Sequence, residues 1–197
     1  MDFGNASPFI FTFSGNVDAT QFGLGSSVPV SFQFTYDSSQ APYGSSNATY
    51  LMPITLTVGG FVVQEQGTVD VFVTPSFDSV QLGAANYVSV GSYGETLTGL
   101  INGFGVRLGT LDITNNVPPI NMLSSTSLPT SSAFINRANL IGLDIEDLNS
   151  TRKIIQSYGP GSFTLTVAPV AVPEPATLLL CLIAIPAFAL CRLRRVG

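Results

Sequence analysis

Histidine and tryptophan are absent from this chain of 197 residues, and lysine occurs only once. Because it has no imidazole, the chain cannot form a Ser-His-Asp or Cys-His catalytic group, or a histidine-ligated zinc or iron site. Because it has no indole, only tyrosine and phenylalanine rings remain for stacking on sugars. We therefore expect that the protein is not an enzyme and that it holds no cofactor.

Charged side chains are few and mostly acidic. Residues 1–172 contain four basic and eleven acidic side chains. Serine, threonine, asparagine, glutamine and glycine supply most of the remaining polar surface of this part. Nucleic-acid binding draws its affinity from clustered lysine and arginine, so we expect no nucleic-acid partner.

The chain has only two cysteines, Cys181 and Cys191, and both lie near its C-terminus. Ten residues span about 15 Å along a helix, which is too far for a disulfide within one chain. The part of the chain before them has no disulfide, so a hydrophobic core or a bound ion must stabilise it.

Residues 28–36 alternate apolar and polar side chains, with the period of a half-buried strand. Residues 54–64 read as a hairpin that turns at Gly59-Gly60. Turn residues recur about every ten positions, which is typical of sandwiches and barrels. We predict an all-β fold over residues 1–168, an antiparallel, jelly-roll-like β-sandwich. The apolar face of the first of these strands consists of Val28, Val30, Phe32, Phe34 and Tyr36.

One stretch departs from the alternating pattern. In LDIEDLNSTRKIIQSYGPG, apolar positions recur at helical spacing, and Asp144 can cap a helix start. Gly159-Pro160 would end such a helix. We therefore predict one short helix near residues 144–157.

Acidic side chains offer two candidate sites. Asp144, Glu146 and Asp147 supply oxygen atoms that could bind calcium, although their spacing is not that of an EF-hand. A glycoside hydrolase would instead need two carboxylates about 5–10 Å apart, and the spacing along the chain pairs none of the candidates. Those candidates are Glu65, Asp70, Asp78, Glu95 and Asp112.

The C-terminus has the pattern of a short membrane helix. Residues 176–191 carry no charge and would span about 24 Å as a helix, somewhat less than the hydrocarbon core of a bilayer. We predict a transmembrane helix over residues 176–197, closed by the basic residues Arg192, Arg194 and Arg195. Its principal apolar residues are Ala176, Leu178, Leu179, Leu180, Cys181, Leu182, Ile183, Ile185, Phe188, Leu190 and Cys191.

The arginines predict the orientation of this helix, because positive charge stays on the cytoplasmic side of a membrane. The preceding β-domain would then lie outside the cytoplasm. Residues 169–175 form a proline-rich linker, in which Pro173 and Pro175 favour an extended backbone. The linker would therefore be exposed at the outer surface of the membrane.

The succession of Val172, Pro173, Glu174 and Pro175, a short apolar helix and a basic end resembles the PEP-CTERM sorting signal of exported bacterial proteins. The same motif is also labelled an ice-binding-protein C-terminal domain. The resemblance implies recognition by exosortase, a membrane-bound processing enzyme of the inner membrane. It further implies display at the cell surface or in the exopolysaccharide matrix.

An exported protein also needs an N-terminal signal with a basic start and an apolar stretch. The first residues, MDFGNASPFIFTFSG, have neither feature. We therefore expect the native protein to carry a signal peptide that is missing from this chain.

These features favour a non-enzymatic protein of the cell surface or biofilm matrix, with extracellular polysaccharide as a possible partner. The first alternative is a carbohydrate- or calcium-binding β-sandwich module. The second, ranked last, is a secreted glycoside hydrolase that uses paired carboxylates.

Overall fold

The computed structural model describes residues 8–42, 48–73, 86–91, 99–117, 119–159 and 161–170. These residues form ten β-strands and two short 3-10 helices, at Thr20–Phe22 and Ser132–Arg137. The strands are β1 (Pro8–Val17), β2 (Val28–Asp37), β3 (Ala48–Val58), β4 (Phe61–Val73), β5 (Asn86–Gly91), β6 (Gly99–Ile101), β7 (Phe104–Asn115), β8 (Leu140–Asp147), β9 (Lys153–Tyr158) and β10 (Thr164–Pro169).

The strands form one antiparallel ladder in the order β10-β1-β2-β3-β4-β5-β7-β8-β9. The short strand β6 pairs with the start of β7, and β5 pairs with its end, so both occupy one position in the ladder. The antiparallel β fold is thus confirmed. The strand order is that of a meander, however, in which neighbours follow one another along the chain except at β10–β1 and at β5–β7, where β6 intervenes. The described strands therefore lack the crossing connections of the predicted jelly roll.

The ladder curls until β1 faces β9. In a flat sheet β1 and β9 would lie seven strand spacings apart, or about 34 Å. Instead the ring of Phe13 on β1 lies 5.8 Å from the ring of Tyr158 on β9. The curled sheet therefore encloses the hydrophobic core on its inner face.

The inner face consists of the apolar residues that alternate along each strand. Phe11 and Phe34 occupy opposed positions on β1 and β2, and their rings stack 4.5 Å apart. The predicted apolar face of β2 is confirmed, because all five of its residues are buried: Val28, Val30, Phe32, Phe34 and Tyr36.

The predicted hairpin is also confirmed, with β3 and β4 paired from Val58 and Phe61 outwards. Gly59 and Gly60 have φ angles of 55° and 89°. A two-residue turn of this kind needs positive φ at both central positions, which glycine adopts without strain.

The predicted helix near residues 144–157 is wrong. This stretch contains the end of β8, a turn and β9 up to its last residue but one. Ile141, Leu143 and Ile145 are buried, whereas Gly142 and Asp144 between them are partly exposed. Pairing with β7 covers β8 along its whole length, so burial with a period of two prevails over the local helical spacing.

The connection between β7 and β8 closes one end of the core. Phe134 from this connection is buried. The hydroxyl of Tyr36 donates a hydrogen bond to the Pro129 carbonyl, and that of Tyr50 donates to the Thr126 carbonyl at 3.0 Å. Both tyrosines therefore tie this long connection to the inner face of the sheet.

Strand β10 lies at one edge of the ladder and pairs only with β1. Just beyond its end, the Val170 N–H donates to the Pro8 carbonyl at 2.7 Å. Backbone pairing therefore continues through residues 169 and 170, which the sequence had placed in the linker.

Candidate functional site

The residues of the predicted sorting signal lie outside the described part of the chain. These are the motif at 172–175, the apolar segment at 176–191 and the arginines at 192, 194 and 195. Among the helices that the structure does describe, none is long and apolar enough to cross a membrane.

The three calcium candidates do not share one surface. Asp144 and Glu146 lie on the outer face of β8, whereas Asp147 is buried at its end. Glu146 is paired with Lys153 at 2.5 Å. Within the described ranges, no three acidic side chains come together in a group that could hold a metal ion.

Asp147 holds the turn between β8 and β9. Its carboxylate accepts hydrogen bonds from the N–H and the hydroxyl of Thr151, both at 2.8 Å, and from Arg152 at 3.3 Å. Burial alone would raise the pKa of Asp147, but these hydrogen bonds outweigh it and the pKa lies below its usual value. Asp147 is thus a structural residue of the turn.

Asp144 has the opposite electrostatic character. Its Oδ1 atom is buried and has no hydrogen-bond partner among the described residues. Burial raises the pKa of Asp144 most, the carboxylates of Glu146 and Asp112 raise it further, and Lys153 partly offsets them. The outer face of β8 therefore disfavours a negative charge at this position.

Of the five hydrolase candidates, the sheet brings only Asp70 and Asp112 to the same face among those described. Strand β5 lies between them at Ser89, so their backbones are about 10 Å apart. Asp70 is buried and accepts a hydrogen bond from the Thr49 hydroxyl at 2.6 Å. Glu65 occupies a position of β4 that alternates towards the inner face of the sheet. Positions 78 and 95 lie outside the described residues.

The most distinctive polar site is the seam where the curled sheet fails to close. Residues 16–21 run antiparallel to β9. From one hydrogen-bonded pair to the next, the residue number in this segment rises by as much as the residue number in β9 falls, so the register is constant. Three hydrogen bonds between described residues cross the seam. The Tyr158 hydroxyl donates to the Asn16 carbonyl (2.9 Å), and the Asp18 N–H donates to the Gln156 carboxamide oxygen (3.4 Å). The Lys153 N–H donates to the Gln21 carboxamide oxygen (2.7 Å).

Each of these three bonds uses a side chain on one side of the seam. The two backbones are therefore farther apart than the 4.7–4.9 Å of neighbouring strands. Between β9 and residues 16–21, hydrogen bonds from side chains replace those of a backbone ladder. The gap between the two backbones is open to solvent. A cleft of about 410 Å³ occupies this gap. It is lined by Asp18, Thr20, Gln21, Ser150, Thr151, Lys153, Ile155 and Gln156.

The backbone of Ile155 directs its polar groups into this cleft. In an antiparallel pair, hydrogen-bonded and non-bonded positions alternate. The bond from the Asp147 N–H to the Arg152 carbonyl shows that these two residues form a hydrogen-bonded pair, which fixes the alternation along β8 and β9. It follows that Lys153 and Ile155 turn their N–H and C=O groups away from β8, as the Lys153–Gln21 bond shows directly.

Both walls of the cleft are anchored to the body of the protein. On one side Phe22 is buried, and its carbonyl accepts a hydrogen bond from the Asn102 side chain at 2.7 Å. On the other side the Arg152 guanidinium lies 4.0 Å from the centre of the Phe104 ring, next to the turn that Asp147 holds. The cleft is therefore largely preformed.

The two charged groups of the cleft have opposite signs and are already engaged. Hydrogen bonds from the Thr20 hydroxyl and N–H lower the pKa of Asp18. The hydrogen bond to Glu146 raises the pKa of Lys153. Both groups therefore remain ionised at neutral pH, and the cleft carries little net charge.

The sequence gives no signal for this site. Gln21 and Lys153 are 132 positions apart, and isolated glutamines are common on protein surfaces. Only the curvature of the sheet brings them together. The fold thus defines an antiparallel β domain with an open polar seam.

Comparisons of the chain with protein-family models, with curated proteins and with solved structures found no match. Any function must therefore be argued from the residues themselves.

Proposed function

We propose that the chain is an exported, non-enzymatic protein of the cell surface or exopolysaccharide matrix. A PEP-CTERM-type signal would sort it, with residues 172–175 as the motif read by an exosortase-like enzyme. The observation that carries this proposal is the order of three features at the C-terminus: Val-Pro-Glu-Pro, sixteen uncharged residues and a basic end. In this proposal the curled sheet is a β-sandwich outside the cytoplasm, held by one transmembrane helix until the signal is processed.

The end of the described domain supports this arrangement. Val170 is still hydrogen-bonded to Pro8 at the edge of the sheet, and the motif begins two residues later. Two residues span at most about 7 Å. A processing enzyme would thus act close to the folded domain at the membrane surface.

The proposal is tested by fractionating cells of an exosortase-containing host that express the chain behind a signal peptide. Replacing both motif prolines, Pro173→Ala with Pro175→Ala, should leave the uncleaved protein in the inner membrane, because the extended shape of the motif is lost. Pro42→Ala, at an exposed position far from the motif along the chain, is the control and should be sorted normally. Equal release of the double variant and the control would contradict the proposal.

The seam cleft favours one alternative, a carbohydrate-binding module, because it gathers carboxamide, hydroxyl and backbone hydrogen-bonding groups. Calcium binding has less support, because the described residues contain no group of three acidic side chains that could hold a metal ion. A glycoside hydrolase is ranked last. The Asp70 carboxylate is buried and accepts a hydrogen bond from the Thr49 hydroxyl, so little of it is accessible to a substrate.

A further inference from the structure

We infer that the seam cleft between β9 and residues 16–21 binds one or two sugar units of an uncharged polysaccharide. The location follows from the geometry of the seam. The choice of polysaccharide over another hydroxyl-rich compound rests on the proposed function at the cell surface. The volume of about 410 Å³ is within the range of small-molecule sites.

The cleft supplies both donors and acceptors to a ligand. Gln21 and Gln156 use their carboxamide oxygens across the seam, which leaves the two amino groups as donors. The backbone of Ile155 adds an N–H and a carbonyl at the free edge of β9. Neighbouring hydroxyls of a sugar ring each donate and accept, so they match such a mixed set.

Charge in the cleft favours a neutral ligand over an acidic one. Among the described residues, Lys153 is the only cation that lines the cleft, and Glu146 already pairs with it at 2.5 Å. Asp18 contributes an anion, which would repel carboxylate or phosphate groups. The Ile155 side chain, 67% exposed, offers an apolar surface to the C–H groups of a sugar ring.

An extended peptide fits the seam less well. Strand addition needs a continuous free edge along which a second backbone can pair. Here the bonds at Lys153, Gln156 and Tyr158 cross the gap at intervals of two or three residues. They leave room for a compact ligand between them but interrupt the edge for a strand.

The test is an NMR titration of the full-length chain in dodecylphosphocholine micelles, since detergents with sugar headgroups would compete for the site. The neutral probes are cellohexaose, laminarihexaose and maltohexaose, and hexagalacturonate is the acidic probe. We expect at least one neutral probe to shift the Ile155 methyl signal and the amide signals of residues 18–21 saturably. Hexagalacturonate should bind at least tenfold more weakly.

A matched pair of variants tests the role of the carboxamide. Gln156→Glu keeps the oxygen that accepts the Asp18 N–H but removes the amino donor, so it should weaken binding at least tenfold, or about 1.4 kcal/mol. Gln64→Glu, at an exposed site on β4, makes the same chemical change elsewhere and should leave the affinity unaltered.

Three results would overturn the inference: no saturable shift with any neutral probe up to about 10 mM, tighter binding of hexagalacturonate, or equal affinity of Gln156→Glu and wild type. Failure here would leave the sorting proposal standing, because the titration does not depend on processing of the tail. Conversely, saccharide binding would persist if sorting failed.

Discussion

Two aspartates three positions apart on β8 respond to their surroundings in opposite ways. Burial and nearby carboxylates raise the pKa of Asp144. At Asp147 burial acts in the same direction, but hydrogen bonds from Thr151 and Arg152 outweigh it and lower the pKa. The difference arises because Asp144 lies on the outer face beside other acids, whereas Asp147 closes the turn to β9.

These shifts predict opposite pH dependences. Above its raised pKa, Asp144 is charged in the folded protein and lowers the free energy of unfolding. This loss of stability disappears below pH 3.8, the pKa of the carboxyl in the unfolded chain. Asp144→Asn should therefore raise the melting temperature at pH 7, with the gain vanishing towards pH 3. Asp147 stabilises the fold above 3.8 and loses this effect as pH falls through its lowered pKa, so Asp147→Asn should lower the melting temperature at pH 7. Thermal melts from pH 3 to 8 would measure both, and equal shifts at all pH values would contradict the assignment.

The Tyr158 hydroxyl provides a second test at the level of one residue. It donates to the Asn16 carbonyl across the seam, and burial raises its pKa to about 12 from 10.0. Tyr158→Phe should cost about 1 kcal/mol of unfolding free energy, the usual value of one hydrogen bond. The stabilising effect of the raised pKa is complete below pH 10 and is lost as pH rises through about 12. Urea unfolding checks the first value and ultraviolet titration the second; an unshifted tyrosine pKa would contradict the burial.

At the scale of elements, close packing of the strands depends on small residues at defined positions. A Cβ atom added to Gly99 on β6 would lie 2.2 Å from Cγ2 of Val63 on β4. The Cγ2, Cγ1 and Cβ atoms of Val63 would all lie too close to the added atom, and rotating the valine side chain cannot move all three away. The absence of a side chain at this position therefore allows β6 to lie against β4.

This contact predicts that Gly99→Ala will destabilise the protein by about 1–3 kcal/mol, the usual cost of overpacking. Val63→Ala in the same chain should restore part of the loss, since it removes the clashing methyl groups. Gly142→Ala on β8 is the control, because its Cβ would meet no atom within 4 Å. Chemical denaturation measures all three, and an equal effect of both glycine substitutions would contradict the packing.

The sequence predicts individual elements where a single pattern dominates. Alternation defines β2, and Gly59-Gly60 defines the turn between β3 and β4. Residues 144–157 were mispredicted because Ile145, Leu148 and Ile155 also match helical spacing, and pairing with β7 decides in favour of strand. Neither the pairing of β10 with β1 nor the seam follows from local pattern, since both depend on contacts between residues more than 100 positions apart.

The whole molecule consists of a folded β domain and a C-terminal segment, for which we propose different roles. The curled sheet has a buried aromatic core and an open polar seam. Strand β10, at the opposite end of the ladder from β9, leads through Val170 towards residues 172–175, the proposed sorting motif. A tail that follows an edge strand could be processed without disturbing the core or the seam.

We propose above all that residues 172–197 sort the β domain to the cell surface or the exopolysaccharide matrix. Intact-mass spectrometry of the protein recovered from each cell fraction of its native host tests this claim most directly. We predict that the surface or extracellular fraction contains the β domain without the arginines at 192, 194 and 195. Recovery of the chain only from the cytosol, intact to Gly197, would contradict the account.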